Sequence, residues 1–184
     1  GRMVMFNADG SESGMCGNGL RCVAKFLFDR GRTGGATEFR LQTGAGPRGA
    51  KVHVGADGKA DRVTLSMGAP LLDPDQIPTT LDAQGAEFEI EVAGRKVKGT
   101  PVGMGNPHFV VFVEDTETFP VHEIGPLIEN HPAFPKRVNA EFVQVLGAGH
   151  LRQRTWERGS GETWACGTGA SAVCVASRLR GISD

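Results

Sequence analysis

Apolar and polar positions along the chain change period several times, and each change marks an element. Over residues 17–30, Leu20, Val23, Ala24 and Leu27 fall at the i, i+3, i+4, i+7 spacing of one helix face, and Gly31 follows as a stop. Residues 167–180 predict a second helix, stopped by Gly181. Between them the sequence alternates or turns β-branched, predicting strands over 51–54, 62–67, 87–92, 96–100, 109–113, 139–146 and 150–157. Ala56-Asp57-Gly58 and Ala93-Gly94 supply hairpin turns. Phe119-Pro120 opens a short helical segment over 122–129, which Asn130-His131-Pro132 ends. Residues 1–8 read as a strand end entering a turn at Asp9-Gly10. The pattern predicts a β-rich α+β chain with one principal helix per half and a junction near residues 67–104.

The two helices open alike. Cys16-Gly17-Asn18-Gly19 and Cys166-Gly167-Thr168-Gly169 are separated by a constant offset, 166 − 16 = 150, which also relates Glu12 to Glu162, Val23 to Val173, Arg30 to Arg180 and Gly31 to Gly181. An ungapped match of this length predicts two homologous, pseudo-symmetric domains, residues 1–68 and 69–184, packed around a shared cleft. Asn106 lies 60 residues before Cys166 (166 − 106), and its counterpart would precede Gly1. The repeat therefore predicts a chain truncated at both ends, by roughly 45 residues or more at the start and a few tens at the finish.

Composition narrows the partners. A formal net charge of −1 gives no reason to expect nucleic acid or a membrane surface. No apolar run approaches the ~18 residues of a membrane span, and no export signal is visible, so a cytoplasmic protein is expected. Of the four cysteines, Cys22 and Cys174 fall inside the predicted helices and read as buried small hydrophobes. Neither cysteine pair has zinc or thioredoxin spacing.

Cys16 and Cys166 differ from these because each stands at a helix N-terminus. Unpaired N–H groups and a partial positive charge there favour a thiolate, and can receive a substrate carboxylate as it gains charge. The glycines let the backbone approach closely. Inverting an α-carbon needs a base on one face and an acid on the other. A thiolate and a thiol facing one another supply both, without pyridoxal phosphate.

At these residues the chain resembles diaminopimelate epimerase over essentially its whole length. The resemblance is carried by Asn-Ala-Asp-Gly-Ser-Glu…Cys-Gly-Asn-Gly-x-Arg-Cys (7–22), Met-Gly-Asn-Pro-His (104–108), His-Pro-x-Phe-Pro-x-Arg-Val-Asn (131–139) and Glu-Arg-Gly-x-Gly-Glu-Thr-x-Ala-Cys-Gly-Thr-Gly-Ala (157–170). It implies two α+β domains, each a mixed sheet curled around a central helix. It also implies conversion of LL- to meso-diaminopimelate in lysine and peptidoglycan precursor synthesis, with no cofactor or metal, by a cytoplasmic homodimer. Residue by residue, it makes Cys16 and Cys166 the acid/base pair. Gly17-Asn18 and Gly167-Thr168 hold the reacting carboxylate. Asn7, Asn106, Asn139, Glu157 and Arg158 bind the rest of the substrate, and His108 and Glu157 tune the cysteines. Proline racemase and its hydroxyproline-epimerising relatives share the two-cysteine plan, with different cysteine loops.

Plainer roles compete at several positions. Asn7, Asn106 and Asn139 also suit turns, Arg158 a solvated charge and His108 a satisfied core histidine. Trp156 and Trp164 read as packing at the rim of the second loop.

Overall fold

The computed structural model describes residues 1–6, 10, 12–81 and 86–183. It divides into two compact units, Gly1–Gly68 and Ala69–Asp184. In the first, β1 (Met5–Phe6) and β2 (Glu12–Ser13) form a short antiparallel ladder ahead of α1 (Gly17–Asp29). Then β3 (Glu38–Thr43), β4 (Gly46–Val54) and β5 (Ala60–Leu65) build an antiparallel sheet in that order. Helix α1 lies on β4 and β5 and buries Leu20 and Ala24 against Met15, Leu41 and Ala50. Full burial of such a leucine contributes roughly 1.5–3 kcal/mol. Lys25 fastens the helix to β5, donating to the Ala60 carbonyl (2.6 Å) and pairing with Asp29 (2.8 Å).

The second unit contains β6 (Phe88–Val92), β7 (Arg95–Gly103), β8 (Pro107–Phe112), α2 (Val121–Glu129), β9 (Asn139–Gly147), β10 (His150–Glu157), β11 (Gly161–Thr163) and α3 (Gly167–Leu179). Its six strands form one sheet in the order β11-β10-β9-β8-β7-β6. Every neighbouring pair is antiparallel except β8 with β9, whose parallel pairing needs the crossover that carries α2. Alternation along β9 sends Ala140 and Phe142 into the core with Val121, Ile124 and Ile128 of α2. The other face carries Glu141, and α3 packs there against β7, β8 and β9.

Two features differ from the sequence-based expectation. Strand β3 is absent from the predicted set, although Phe39 and Leu41 alternate with Glu38, Arg40 and Gln42. The sheet of the second unit is mixed, whereas the named strands of the first are all antiparallel. Among the described residues of the first unit, parallel pairing is seen as one bridge, Arg2 to Gln42.

The repeat holds in the backbone. Met5 pairs with Ser13 and Phe6 with Glu12, as Thr155 pairs with Thr163 and Trp156 with Glu162. Helices α1 and α3 both have 13 residues. Both end in the same left-handed glycine cap, Gly31 at φ 67° and Gly181 at φ 66°. The Arg32 N–H reaches back to the Leu27 carbonyl and that of Ile182 to Ser177, each at 2.8 Å.

Candidate active site

Helices α1 and α3 are each capped at the N-terminus by a cysteine. Cys16 (φ −141°, ψ 109°) and Cys166 (φ −123°, ψ 111°) are extended. Their carbonyls accept the N–H groups of Leu20 and Ala170 at 2.9 Å. Their Sγ atoms accept the N–H groups of Gly19 and Gly169 at 3.3 Å. Sulfur thus takes the place that a serine or aspartate oxygen usually holds at an N-cap, over the positive end of the helix.

The two caps differ in what lies beneath the third helical residue. A Cβ on Gly19 would meet the Met5 thioether at 3.1 Å, whereas one on Gly169 would stand 2.5 Å from Oε1 of Glu141. The Glu141 side chain is fully buried. It accepts Thr155 Oγ1 (2.5 Å) and Gln153 Nε2 (2.9 Å) on Oε2 and pairs through Oε1 with His108 Nδ1 (2.8 Å). These three partners satisfy a charge that burial alone would make very costly. The two β10 donors stand 150 residues after methionines, 153 − 3 and 155 − 5. Met3 packs with the first unit's core, and Met5 borders Gly19.

Burial pushes the Cys166 thiol up to about 12, helped by the Glu141 and Glu157 carboxylates. The Thr168 hydroxyl (3.3 Å) and the Gly169 N–H oppose this and are outweighed. The expectation that the helix terminus would favour a thiolate is therefore corrected for Cys166. Removing a thiolate from water in the presence of two anions outweighs one N–H and a fractional dipole charge. At neutral pH Cys166 is a thiol.

Around it, the second unit gathers most of the residues predicted from sequence at one end of the sheet. His108 and Asn139 are register partners at the starts of β8 and β9. His108 is fully buried, and its Nε2 pairs with the side-chain amide of Asn106 at 3.0 Å. Asn139 is also buried, donating to the Pro107 carbonyl (2.7 Å) and accepting the Arg158 N–H (2.9 Å). Glu157 ends β10 and accepts the Thr163 hydroxyl (2.5 Å), while Arg158 Nη1 donates to the Lys136 carbonyl (2.9 Å). Thr168 is buried and Gly167 half-buried at the α3 cap. Cys16, buried Gly17 and exposed Asn18 stand at the α1 cap, where Asn18 Oδ1 accepts Arg21 Nη1 (2.9 Å). Asn7 lies outside the described residues.

Several residues of this assembly were not singled out from the sequence. Glu141 had a signal, a charge inside the apolar run Phe142–Val143 and Ala140; Gln153 and Thr155 had one in the offset itself. Glu129 is another: at the end of α2 it accepts Trp156 Nε1 (2.7 Å), Gly159 N–H (2.9 Å) and Arg137 Nη1 (3.1 Å), holding the 157–161 turn. The Arg154 guanidinium forks onto Glu162 (2.6 and 2.9 Å) and holds that carboxyl below its usual range, pinning β11 ahead of Cys166. Trp156 packs over Gly125, where a Cβ would meet its ring at 2.7 Å. Trp164, expected to pack at the rim, is fully exposed in this chain. Cys22 and Cys174, expected to be buried, are exposed, because they point away from the faces that α1 and α3 bury.

The sequence pattern of the family described as "Diaminopimelate epimerase" matches residues 1–72 and 100–184. The diaminopimelate epimerase of Leptospira biflexa is 52% identical over 98% of this chain and 65% of its own length. That of Acetivibrio thermocellus is 50% identical over 100% of this chain and 65% of its own length. The chain thus spans about 65% of these relatives. Among solved structures, a hydroxyproline epimerase from Agrobacterium vitis with bound trans-4-hydroxy-L-proline superposes with a TM-score of 0.72 at 22% identity, covering 100% of this chain and 57% of that one. A Bacillus anthracis phenazine biosynthesis protein of the PhzF family superposes at 0.59 and 17% identity, over 96% of this chain and 60% of its own. At these identities the superpositions establish the fold.

Proposed function

We propose, from the premise that this chain belongs to the diaminopimelate epimerase family, that the protein interconverts LL- and meso-diaminopimelate in the supply of lysine and peptidoglycan precursors. One observation carries the mechanism: two cysteines cap two helices with the same backbone geometry, and one of them is held as a thiol. In this reading Cys16, as thiolate, removes the α-hydrogen as a proton. The electron pair passes into the adjacent carboxylate, which the N–H groups at Gly17-Asn18 and Gly167-Thr168 receive. The Cys166 thiol then delivers its proton to the opposite face. Cys16 ends as a thiol and Cys166 as a thiolate, and the reverse reaction exchanges their roles. No pyridoxal phosphate or metal takes part.

The distal amino-acid end of the substrate suits the Arg158 fork and the Glu157 carboxylate. Asn106 and Asn139 each retain hydrogen-bonding capacity beyond the bonds they make here, and Asn7 completes the set. His108 acts on the cysteine through the groups it holds, and Glu157 acts on it directly. Family resemblance adds a cytoplasmic homodimer to the proposal, which light scattering of the full-length protein checks.

The decisive measurement is deuterium uptake at the α-carbon from D2O, with diaminopimelate and with hydroxyproline offered separately. Exchange on diaminopimelate alone is expected, and exchange on hydroxyproline alone would move the assignment to the proline-type enzymes. Cys16→Ala and Cys166→Ala in the full-length enzyme should each abolish turnover; near-normal turnover in either would refute the two-base mechanism.

A further inference from the structure

We propose that Glu141 is a positioning residue for Cys166, seated against the first turn of α3 so that the thiol above it is held in its proton-donating form. Three observations carry this. A Cβ on Gly169 would stand within 2.5–2.7 Å of all three carboxyl atoms of Glu141, so the carboxyl group lies directly against that residue. The N–H of the same glycine is the one donated to Cys166 Sγ, which couples the carboxylate to the sulfur through one residue. The carboxylate has no freedom to leave, since His108, Gln153 and Thr155 each hold it and the side chain has no exposed surface.

The residues present at equivalent places in the two units differ. Where the second unit has Gln153, Thr155 and a carboxylate against Gly169, the first has Met3, Met5 and a thioether near Gly19. The Thr155 hydroxyl and the Gln153 amide both donate to Glu141 Oε2, and negative charge on that carboxyl group disfavours a second one on sulfur. The other titratable groups around Cys166 are Glu157, which also opposes the thiolate, and His108, which faces Glu141. Strand β7 contributes none from its buried stretch 99–103, and Arg178 and Arg180 lie at the far end of α3.

The proposal rests on reading Cys166 as the proton donor, but its test involves no substrate. The rate of alkylation of Cys166 by iodoacetamide is followed against pH in the full-length protein, with the Cys166 peptide quantified by mass spectrometry. In Glu141→Gln the midpoint should fall by one pH unit or more, with circular dichroism unchanged. Glu141→Asp keeps the charge but draws it back from Gly169, and should give a smaller fall. If Glu141→Gln does not fold, Glu141→Asp decides. A midpoint unchanged from wild type in the folded variant overturns the proposal and leaves the epimerase reading standing. A merely structural Glu141 would lower stability without moving the midpoint.

Discussion

The starts of α1 and α3 share length, backbone angles, a sulfur cap and a glycine stop, yet they set their cysteines in different chemical surroundings. Cys16 is half-buried, and the third helical residue beyond it lies next to a methionine. Cys166 is buried, and the equivalent residue lies on a carboxylate supported by three donors. At Cys166 the helix terminus fixes where the thiol sits, whereas burial and the Glu141 and Glu157 carboxylates push its ionisation up. A fractional dipole charge stabilises an anion by ~0.3–1 kcal/mol at ordinary sites, too little to compete with burial beside two carboxylates.

The largest expected effect concerns pH. Unfolded Cys166 ionises near 9.0 and the folded thiol near about 12, so unfolding releases a proton between these values. The contribution is fully present below pH 9 and is lost as pH rises toward 12. Its size is at most ~4 kcal/mol, three units at ~1.36 kcal/mol each. Urea titrations of wild type and Cys166→Ala should diverge over that range, the variant losing stability less steeply.

Gly169→Ala forces a methyl group into Glu141, whose three bonds prevent retreat, and should cost about 3 kcal/mol. Gly19→Ala meets the flexible end of Met5 and gains helix propensity, so it should stay within about 1 kcal/mol of wild type. Urea midpoints, with hydrogen exchange assigning the loss to a unit, compare the two; equal losses would break the contrast drawn between the caps.

Thr155→Val strips one donor from the buried carboxylate and should cost about 2 kcal/mol, measured in the same way. Smallest in difference are the helix stops. Gly31→Ala and Gly181→Ala both place an alanine in left-handed geometry with open space around it, and each should cost about 1–2 kcal/mol. Matching thermal shifts would confirm that the two helix ends share a backbone geometry.

Much of this was legible from the residues in order. Helix periodicity, the glycine stops and the offset of 150 located α1, α3 and both cysteines, because each signal is local and repeats ungapped. Strand β3 escaped because its alternation rests on two apolar residues, Phe39 and Leu41. His108 illustrates the boundary: Met-Gly-Asn-Pro-His marked it, but only the parallel register with Asn139 brings it beside Glu141 across 33 residues. Trp164 lies at the opposite limit, since aromatic character alone suggested packing that the second unit does not provide.

The sequence by itself determined the family, the two helices and the sulfur at each N-cap, since propensity, capping and spacing act within a few residues of the chain. The tertiary structure decided that Cys166 is a thiol. Glu141, His108, Gln153 and Thr155 reach one point only when β8, β9 and β10 align and α3 closes over them. The electrostatic cost of a buried charge depends on that three-dimensional neighbourhood, and no local pattern encodes it.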